Sequence, residues 1–281
     1  SYNLLYNLGI FATITLAIAK LVPALNSIAS NIATMRQHTY AIEEIEKFFL
    51  DKKLNDLEKI KKNNQTSNNV KIKYFEIKNL NFNYDKKKQI IRNFNLKASK
   101  GEIIAIQGPS GSGKTTLIDL ILDILKPSGG NIKFYDELDN QIINFNDFSY
   151  ISQNTTIFSG TLLENIVLNN KNFDKENILN LVKKIGLNKI SDNEKILEYQ
   201  LFEDGKNISG GQKQKISFLR CLAQNKQIIL MDEATSNLDI ASENIFYDIL
   251  NSIKKDKIIL FVSHKLKNEQ FFDKIIKINL N

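Results

Sequence analysis

A chain of 281 residues with 42% hydrophobic and 25% charged residues is long enough to bury one or two cores, which excludes an intrinsically disordered polymer. Its single cysteine, Cys221, excludes an internal disulfide and a cysteine-built metal centre, and it reads as a buried, inert thiol. The net charge of +7 is local: residues 51–100 carry an excess of nine positive charges while residues 1–50 balance, so a nucleic-acid face spread over the molecule is not implied.

In chain order, residues 1–35 contain one charge, Lys20, and the first nineteen contain none. As a helix those nineteen extend roughly 28 Å, the thickness of a bilayer core. The "AIA" at 17–19 resembles a leader-peptide cleavage site, but no basic segment precedes it, so the end of a transmembrane helix is expected instead. Leu25, Ile28, Ile32, Met35, Ile42, Ile45 and Phe49 recur at spacings of three, four or seven, which predicts that the helix continues with one apolar stripe and is kinked at Pro23. Lys20, Arg36 and Lys47 all follow the apolar run, placing the rest of the chain on the cytoplasmic side. Beginning at Ser1, the chain is expected to be part of a longer protein.

Residues 1–50 are therefore expected to be a membrane-helix remnant with its cytoplasmic extension, and 51–70, "DKKLNDLEKIKKNNQTSNNV", a linker that is either solvated or in contact with anionic headgroups. From residue 70 strand patterns take over. "VKIKYFEIKNLNFNY" alternates in part, and "DKKKQ" (85–89) marks a turn between strands. "EIIAIQG" (102–108), "QIILMDE" (227–233) and "KIILFVS" (257–263) are short apolar runs of the kind found in buried parallel strands. Helical segments separate them, which predicts an open α/β sheet interrupted over about 154–225 by a mostly helical insertion.

Three of these strand ends carry chemistry. "GPSGSGKT", Gly108 to Thr115, fits G-x-x-x-x-G-K-[ST] between a strand and a helix: the glycines let N–H groups curl around phosphate, Lys114 neutralises it and Thr115 offers a hydroxyl to Mg²⁺. At the end of "IILMDE", Asp232 can hold Mg²⁺ and Glu233 can polarise an attacking water, although adjacent carboxylates can also cap a helix. His264 follows "IILFVS" in the same series. "NISGGQKQ" (207–214) is a second anion-suited turn, Ser209-Gly210-Gly211, ahead of an amphipathic helix, and the residues alone do not say which phosphate it holds.

The ordered set "GPSGSGKTT", "ISGGQKQ", "MDEATSNLD" and "VSHKL" over residues 71–281 resembles the nucleotide-binding domain of ATP-binding cassette (ABC) proteins, a P-loop NTPase fold with a helical subdomain. The resemblance implies ATP and Mg²⁺ as cofactors. It implies that the phosphates lie on Gly108, Ser110, Gly111, Gly113, Lys114, Thr115 and Thr116, with Tyr84 stacked on adenine, although Phe82 shows that a strand aromatic can sit there for other reasons. Gln153 matches the glutamine that reaches Mg²⁺ and the attacking water, Asp232 a metal-site carboxylate, and Glu233 and His264 the hydrolytic pair. In that family two cassettes close head to tail, so Ser209, Gly211, Gln212 and Asp239 belong to the ATP of a second copy. Asn237, Ile208 and Lys213 depart mildly from the family's Ala, Leu and Arg.

"IFSGTLLENI" and "EDG" (203–205) are similar to exporters whose membrane and ATPase parts share one chain, and residues 20–49 to bacterial flippases of lipid-linked oligosaccharides or polysaccharide exporters. The implied protein is an exporter ATPase at the bacterial inner membrane, paired with an identical cassette and with a membrane domain outside this chain. Nucleic acid is not an expected partner. The alternative is a soluble ABC-type ATPase acting on nucleic acid or ribosomes, to which the basic segment lends support; a regulatory nucleotide-binding module fits less well with Glu233 and His264 both present.

Overall fold

The computed structural model describes residues 2–50, 70–85, 88–142, 145, 147–190 and 195–278, and divides into two units, Ser1–Thr66 and Ser67–Asn281. Among its described residues the first unit holds α1 (Tyr2–Leu50), which runs through Pro23 without ending. Within it Thr15–Tyr40 is long and apolar enough to cross a membrane, and Leu16, Leu21, Leu25, Ile28, Ile32 and Met35 are all exposed. The hydroxyls of Thr34 and Thr39 donate to the carbonyls of Ser30 and Met35, so these polar groups are satisfied inside the helix. The expected linker, apart from Val70, lies outside the described residues, as do the tip of the 85–89 turn and the side chains of Ile45 and Phe49.

In the second unit, β1 (Ile72–Asp85) and β2 (Lys88–Ser99) form an antiparallel hairpin, followed by β3 (Ile103–Gln107) and α2 (Lys114–Ile121). Strand β4 (Gly129–Asp136) pairs with the free edge of β1 and β5 (Gln141–Ile142) with β4, giving an antiparallel sheet of order β2-β1-β4-β5. Next come β6 (Phe148–Ile151), β7 (Gly160–Thr161), α3 (Leu162–Val167), α4 (Lys175–Lys184), β8 (Gln200–Leu201) and α5 (Gly210–Gln224). The chain closes with β9 (Ile228–Asp232), α6 (Ile240–Ile253), β10 (Ile258–Ser263) and β11 (Lys274–Lys277). A parallel sheet of order β11-β3-β10-β9-β6 forms the centre.

Why the central strands are continuous apolar runs is now visible: both faces of the sheet are covered, so period-2 alternation distributes side chains between two cores rather than between core and water. Ile103, Ala105, Ile229, Met231, Ile259 and Phe261 face the helices α5 and α6, where Phe218 and Phe246 stack at 3.6 Å. Ile104, Ile106, Ile228, Leu230, Ile258, Leu260 and Val262 face α2 and the antiparallel sheet, through Leu117, Ile118, Phe75, Ile77 and Leu80.

One feature departs from the sequence reading. The strands do not form one open sheet, because β1, β2, β4 and β5 make a separate antiparallel layer over one face of the parallel one. Within the 154–225 stretch the helices α3, α4 and α5 are accompanied by one short strand pair, β7 with β8, and α5 packs on β6. Two-residue strands such as β7 and β8 are too short to leave a periodic signal.

Leu230 and Phe261 are fully buried, whereas Ile240 is 73% exposed. Leu230→Ala and Phe261→Ala are each expected to cost about 2–5 kcal/mol in urea denaturation, and Ile240→Ala under about 0.5 kcal/mol.

Candidate nucleotide site

Parallel pairing in register brings the ends of β3, β9 and β10 side by side: Ser263 is level with Gln107, and Val262 with Asp232. Everything that follows these three strands therefore emerges at one edge, the place where open α/β sheets bind ligands. Beyond β3 the chain turns through 108–113 into α2, whose N-cap, Gly113, is left-handed (φ 87°) and provides no side-chain cap, so the first helical N–H groups stay available. A Cβ on Gly113 would meet Ile90 Cγ2 at 2.8 Å. Gly108 has a different reason for being glycine: a Cβ there would lie 2.4 Å from the carbonyl oxygen of Ile278, the residue after β11, whose N–H donates to Gln107 O at 2.7 Å. Its missing side chain makes room for the neighbouring chain.

Lys114 is buried and donates to the carbonyls of Gly108 (2.9 Å) and Pro109 (2.8 Å), leaving one of its three N–H groups for an anion. Ser112 Oγ is buried in the same loop without a hydrogen-bond partner, an orphaned hydroxyl suited to a phosphate oxygen. Thr115 Oγ1 donates to Asp232 Oδ2 at 2.7 Å, so the hydroxyl and carboxylate expected to share Mg²⁺ already adjoin. Asp232 is 3% exposed, and burial holds its carboxyl above the usual range, partly offset by the Thr115 hydrogen bond and reinforced by Glu233. A divalent cation is the natural complement of that desolvated charge.

Glu233 sits in the left-handed region (φ 52°), uncommon for a side chain of this kind, with its N–H donating to Val262 O at 2.8 Å. Its Oε2 accepts from Gln153 Nε2 at 3.0 Å, and its Oε1 lies 3.2 Å from His264 Nδ1. Two residues far apart in sequence thus converge on one carboxylate. Tyr84, at the end of β1, is 60% exposed, packs edge-on against Phe82 (4.9 Å) and reaches Thr116 Oγ1 with its hydroxyl (3.2 Å). Tyr84, Ser110, Gly111, Gly113, Lys114, Thr115, Thr116, Gln153, Asp232 and Glu233 line one cleft of about 300 Å³.

The second group of expected residues lies elsewhere. Ser209 caps α5 with a reciprocal pair: Gln212 N–H donates to Ser209 Oγ (3.2 Å), and Ser209 N–H to Gln212 Oε1 (2.7 Å). A Cβ on Gly211 would stand 2.9 Å from Asn237 O, so α5 approaches the loop after Glu233 backbone to backbone. Asp239 caps α6, and the Ser242 N–H donating to it holds its carboxyl below the usual range. Ser209, Gly211, Gln212 and Asp239 line a separate depression, flanked by Lys189 and Lys215, that shares no residue with the cleft.

The sequence reading overlooked the residues that join these groups. Gln214 is buried; its Nε2 donates to Ser236 Oγ (2.8 Å) and Glu233 O (3.3 Å), and its Oε1 accepts from Asn237 N–H (2.9 Å). The available signal was a polar residue on the inward face of an amphipathic helix. Arg220 donates to Asn165 O and Thr156 O, and Asn165 holds both the N–H and the C=O of Phe158, which fixes the segment after Gln153.

A glycine-rich loop, a buried carboxylate and a left-handed glutamate at the edge of a parallel sheet, with a capped serine-glycine turn on a second face, are the pattern expected of an ATP-binding cassette. The family model for the ABC transporter matches residues 91–236, and the chain belongs to that family. It is 36% identical over 210 residues to a probable ABC transporter ATP-binding/permease protein of Haemophilus influenzae, covering 72% of this chain and 37% of that protein. It is 35% identical over 209 residues to a lacticin-481/lactococcin-DR transport/processing ATP-binding protein of Lactococcus lactis (72% and 29%). It is 32% identical to ABC transporter B family member 1 of Dictyostelium discoideum (73% and 23%). The chain thus spans well under half the length of these relatives. A bacterial Atm1-family ABC exporter with ATP bound shares the fold, with TM-score 0.66 and 23% identity over 76% of this chain and 39% of that one.

Because the folded state raises the affinity of Asp232 for a proton, its ionised form opposes folding at neutral pH, and that cost fades as pH falls through the raised value. Asp232→Asn is expected to raise the urea midpoint in Mg²⁺-free buffer at pH 7, by an amount that shrinks on acidification, and to abolish stabilisation by Mg-ATP.

Proposed function

We propose that the chain binds Mg-ATP in its cleft, hydrolyses it only when the serine-glycine face of a second copy closes over the phosphates, and passes the resulting motion to a membrane domain that exports a substrate. The observation that carries this reading is the convergence of Gln153 and His264 on Glu233 beside Lys114, Thr115 and Asp232, with Ser209 and Gly211 on another surface.

In this reading Tyr84 stacks on adenine, the loop N–H groups and Lys114 neutralise the phosphates, and Thr115, Asp232 and Gln153 hold Mg²⁺. The metal supplies positive charge against the charge developing on the transferred phosphoryl group. Gln153 and His264 fix the two oxygens of Glu233, which accepts the proton of the attacking water as the bond between the γ-phosphorus and the bridging oxygen breaks. The partner's Ser209 hydroxyl and the N–H groups of Gly210 and Gly211, at the positive end of α5, complete the phosphate shell. Association through a non-membrane, nucleic-acid-directed ATPase is not favoured, since the relatives are combined ATP-binding/permease proteins. The apolar span in α1 supports attachment to a bacterial inner membrane with the cassette in the cytoplasm.

Glu233→Gln is expected to lower ATP turnover about 100-fold or more and to accumulate an ATP-bound dimer in light scattering of the detergent-solubilised chain. Lys114→Ala is expected to weaken nucleotide binding by at least about tenfold, the loss of a charge-assisted contact. A Glu233→Gln variant that stays monomeric in saturating Mg-ATP, or that hydrolyses at the wild-type rate, contradicts the reading.

A further inference from the structure

Glu243 lies one turn into α6, four residues after Asp239, and is 3% exposed although a carboxylate in a first helical turn ordinarily faces water. Three groups from three parts of the chain satisfy it. Thr235 Oγ1 donates to Oε1 at 2.9 Å, Tyr247 Oη donates to the same oxygen at 2.8 Å, and Lys267 Nζ stands 3.0 Å from Oε2. Lys267 Nζ also donates to the carbonyl of Leu238 at 3.4 Å, immediately before Asp239. The nucleotide mechanism above uses none of these groups.

Their placement is what gives them a consequence. Thr235 and Leu238 belong to the loop that begins at Glu233 and ends at Asp239, whereas Lys267 lies three residues beyond His264, past a turn pinned by Ser263 Oγ donating to Lys265 O at 2.8 Å and accepting Lys265 N–H at 3.2 Å. One ammonium therefore bridges the loop carrying Glu233 and Asp239 and the loop carrying His264. A buried carboxylate resists losing its only cationic partner among the described residues, so the two loops are tied together at this point.

We infer that Lys267, held by Glu243, is a positioning residue that couples the Asp239 face to the hydrolytic pair Glu233 and His264, so that closure of the second cassette sets the geometry of hydrolysis. The inference rests on the hydrolytic role proposed for Glu233. In that reading Lys267 touches neither the nucleotide nor the attacking water.

The test compares the wild-type chain with Lys267→Met, Lys267→Arg and the double variant Lys267→Met/Glu243→Gln in ATP turnover and urea denaturation. Lys267→Met keeps the stem and is expected to lose at least tenfold in kcat with the KM for ATP within twofold; Lys267→Arg recovers most of kcat. Removing the lysine also strands a buried charge, so the double variant is decisive: its side-chain amide at position 243 still accepts from Thr235 and Tyr247 but carries no charge. It is expected to regain the wild-type urea midpoint and to remain at least tenfold low in kcat. Recovery of kcat together with the midpoint would show a structural pair only and overturn the inference, as would Lys267→Met retaining more than half of kcat. In both of those outcomes wild-type hydrolysis still stands. A wild-type chain that binds Mg-ATP yet turns over no faster than Glu233→Gln overturns the hydrolytic reading, and this inference with it.

Discussion

The side-chain amide of Gln214 is the contact on which the rest of the cassette depends. By bonding Glu233 O, Ser236 Oγ and Asn237 N–H at once, it fastens α5 to the loop that follows β9. A buried amide with both ends satisfied fixes orientation as well as distance, and loss of any partner leaves a polar group unpaired in the core. Gly211, with Asn237 O where its side chain would be, closes the same junction sterically. The serine-glycine turn is therefore tied to the loop that carries Glu233, and Ser209 lines a different depression from Lys114. In the proposed reading, a site that needs both takes one of them from another copy.

Around this junction the fold separates rigid positioning from what must change. The parallel strands deliver the loops carrying Lys114, Glu233 and His264 in register, and two apolar cores clamp that sheet from both faces. At Glu233 a left-handed backbone is held by the Val262 carbonyl on one side and Gln214 on the other. The charges follow the same division: Asp232 is desolvated at the end of β9, and Asp239, on the other face, is stabilised as an anion by the helix it caps.

Much of this was legible in the residues. The apolar runs at 102–108, 227–233 and 257–263 correspond to β3, β9 and β10, because strands buried on both faces have no alternation to confuse with a helix. The glycine-rich loop, Asp232, Glu233 and His264 were recognisable as ligand chemistry, Gln153 only through the family resemblance, and they meet in one region. Other features left no local trace. The split into two sheets depends on which strand edges pair, and β7–β8 is too short for any period. Gln214 and Lys267 act through partners 19 or more residues away, so those partners could not be named before the chain was folded. Gly108 reads in the sequence as part of a phosphate cradle, whereas its lack of a side chain is demanded by Ile278 behind it.

The central claim is that each ATP lies between the Lys114 loop of one copy and the Ser209 turn of another. The most direct measurement mixes two inactive variants, Lys114→Ala and Ser209→Arg, and follows ATP turnover as their ratio changes. A mixed pair contains one intact site, with its phosphate loop from the Ser209→Arg chain and its turn from the Lys114→Ala chain. Turnover should be absent at either end of the series and rise to a maximum near equal amounts. Persistent inactivity in a mixture shown by light scattering to contain dimers, or full activity of Ser209→Arg alone, would contradict the shared site.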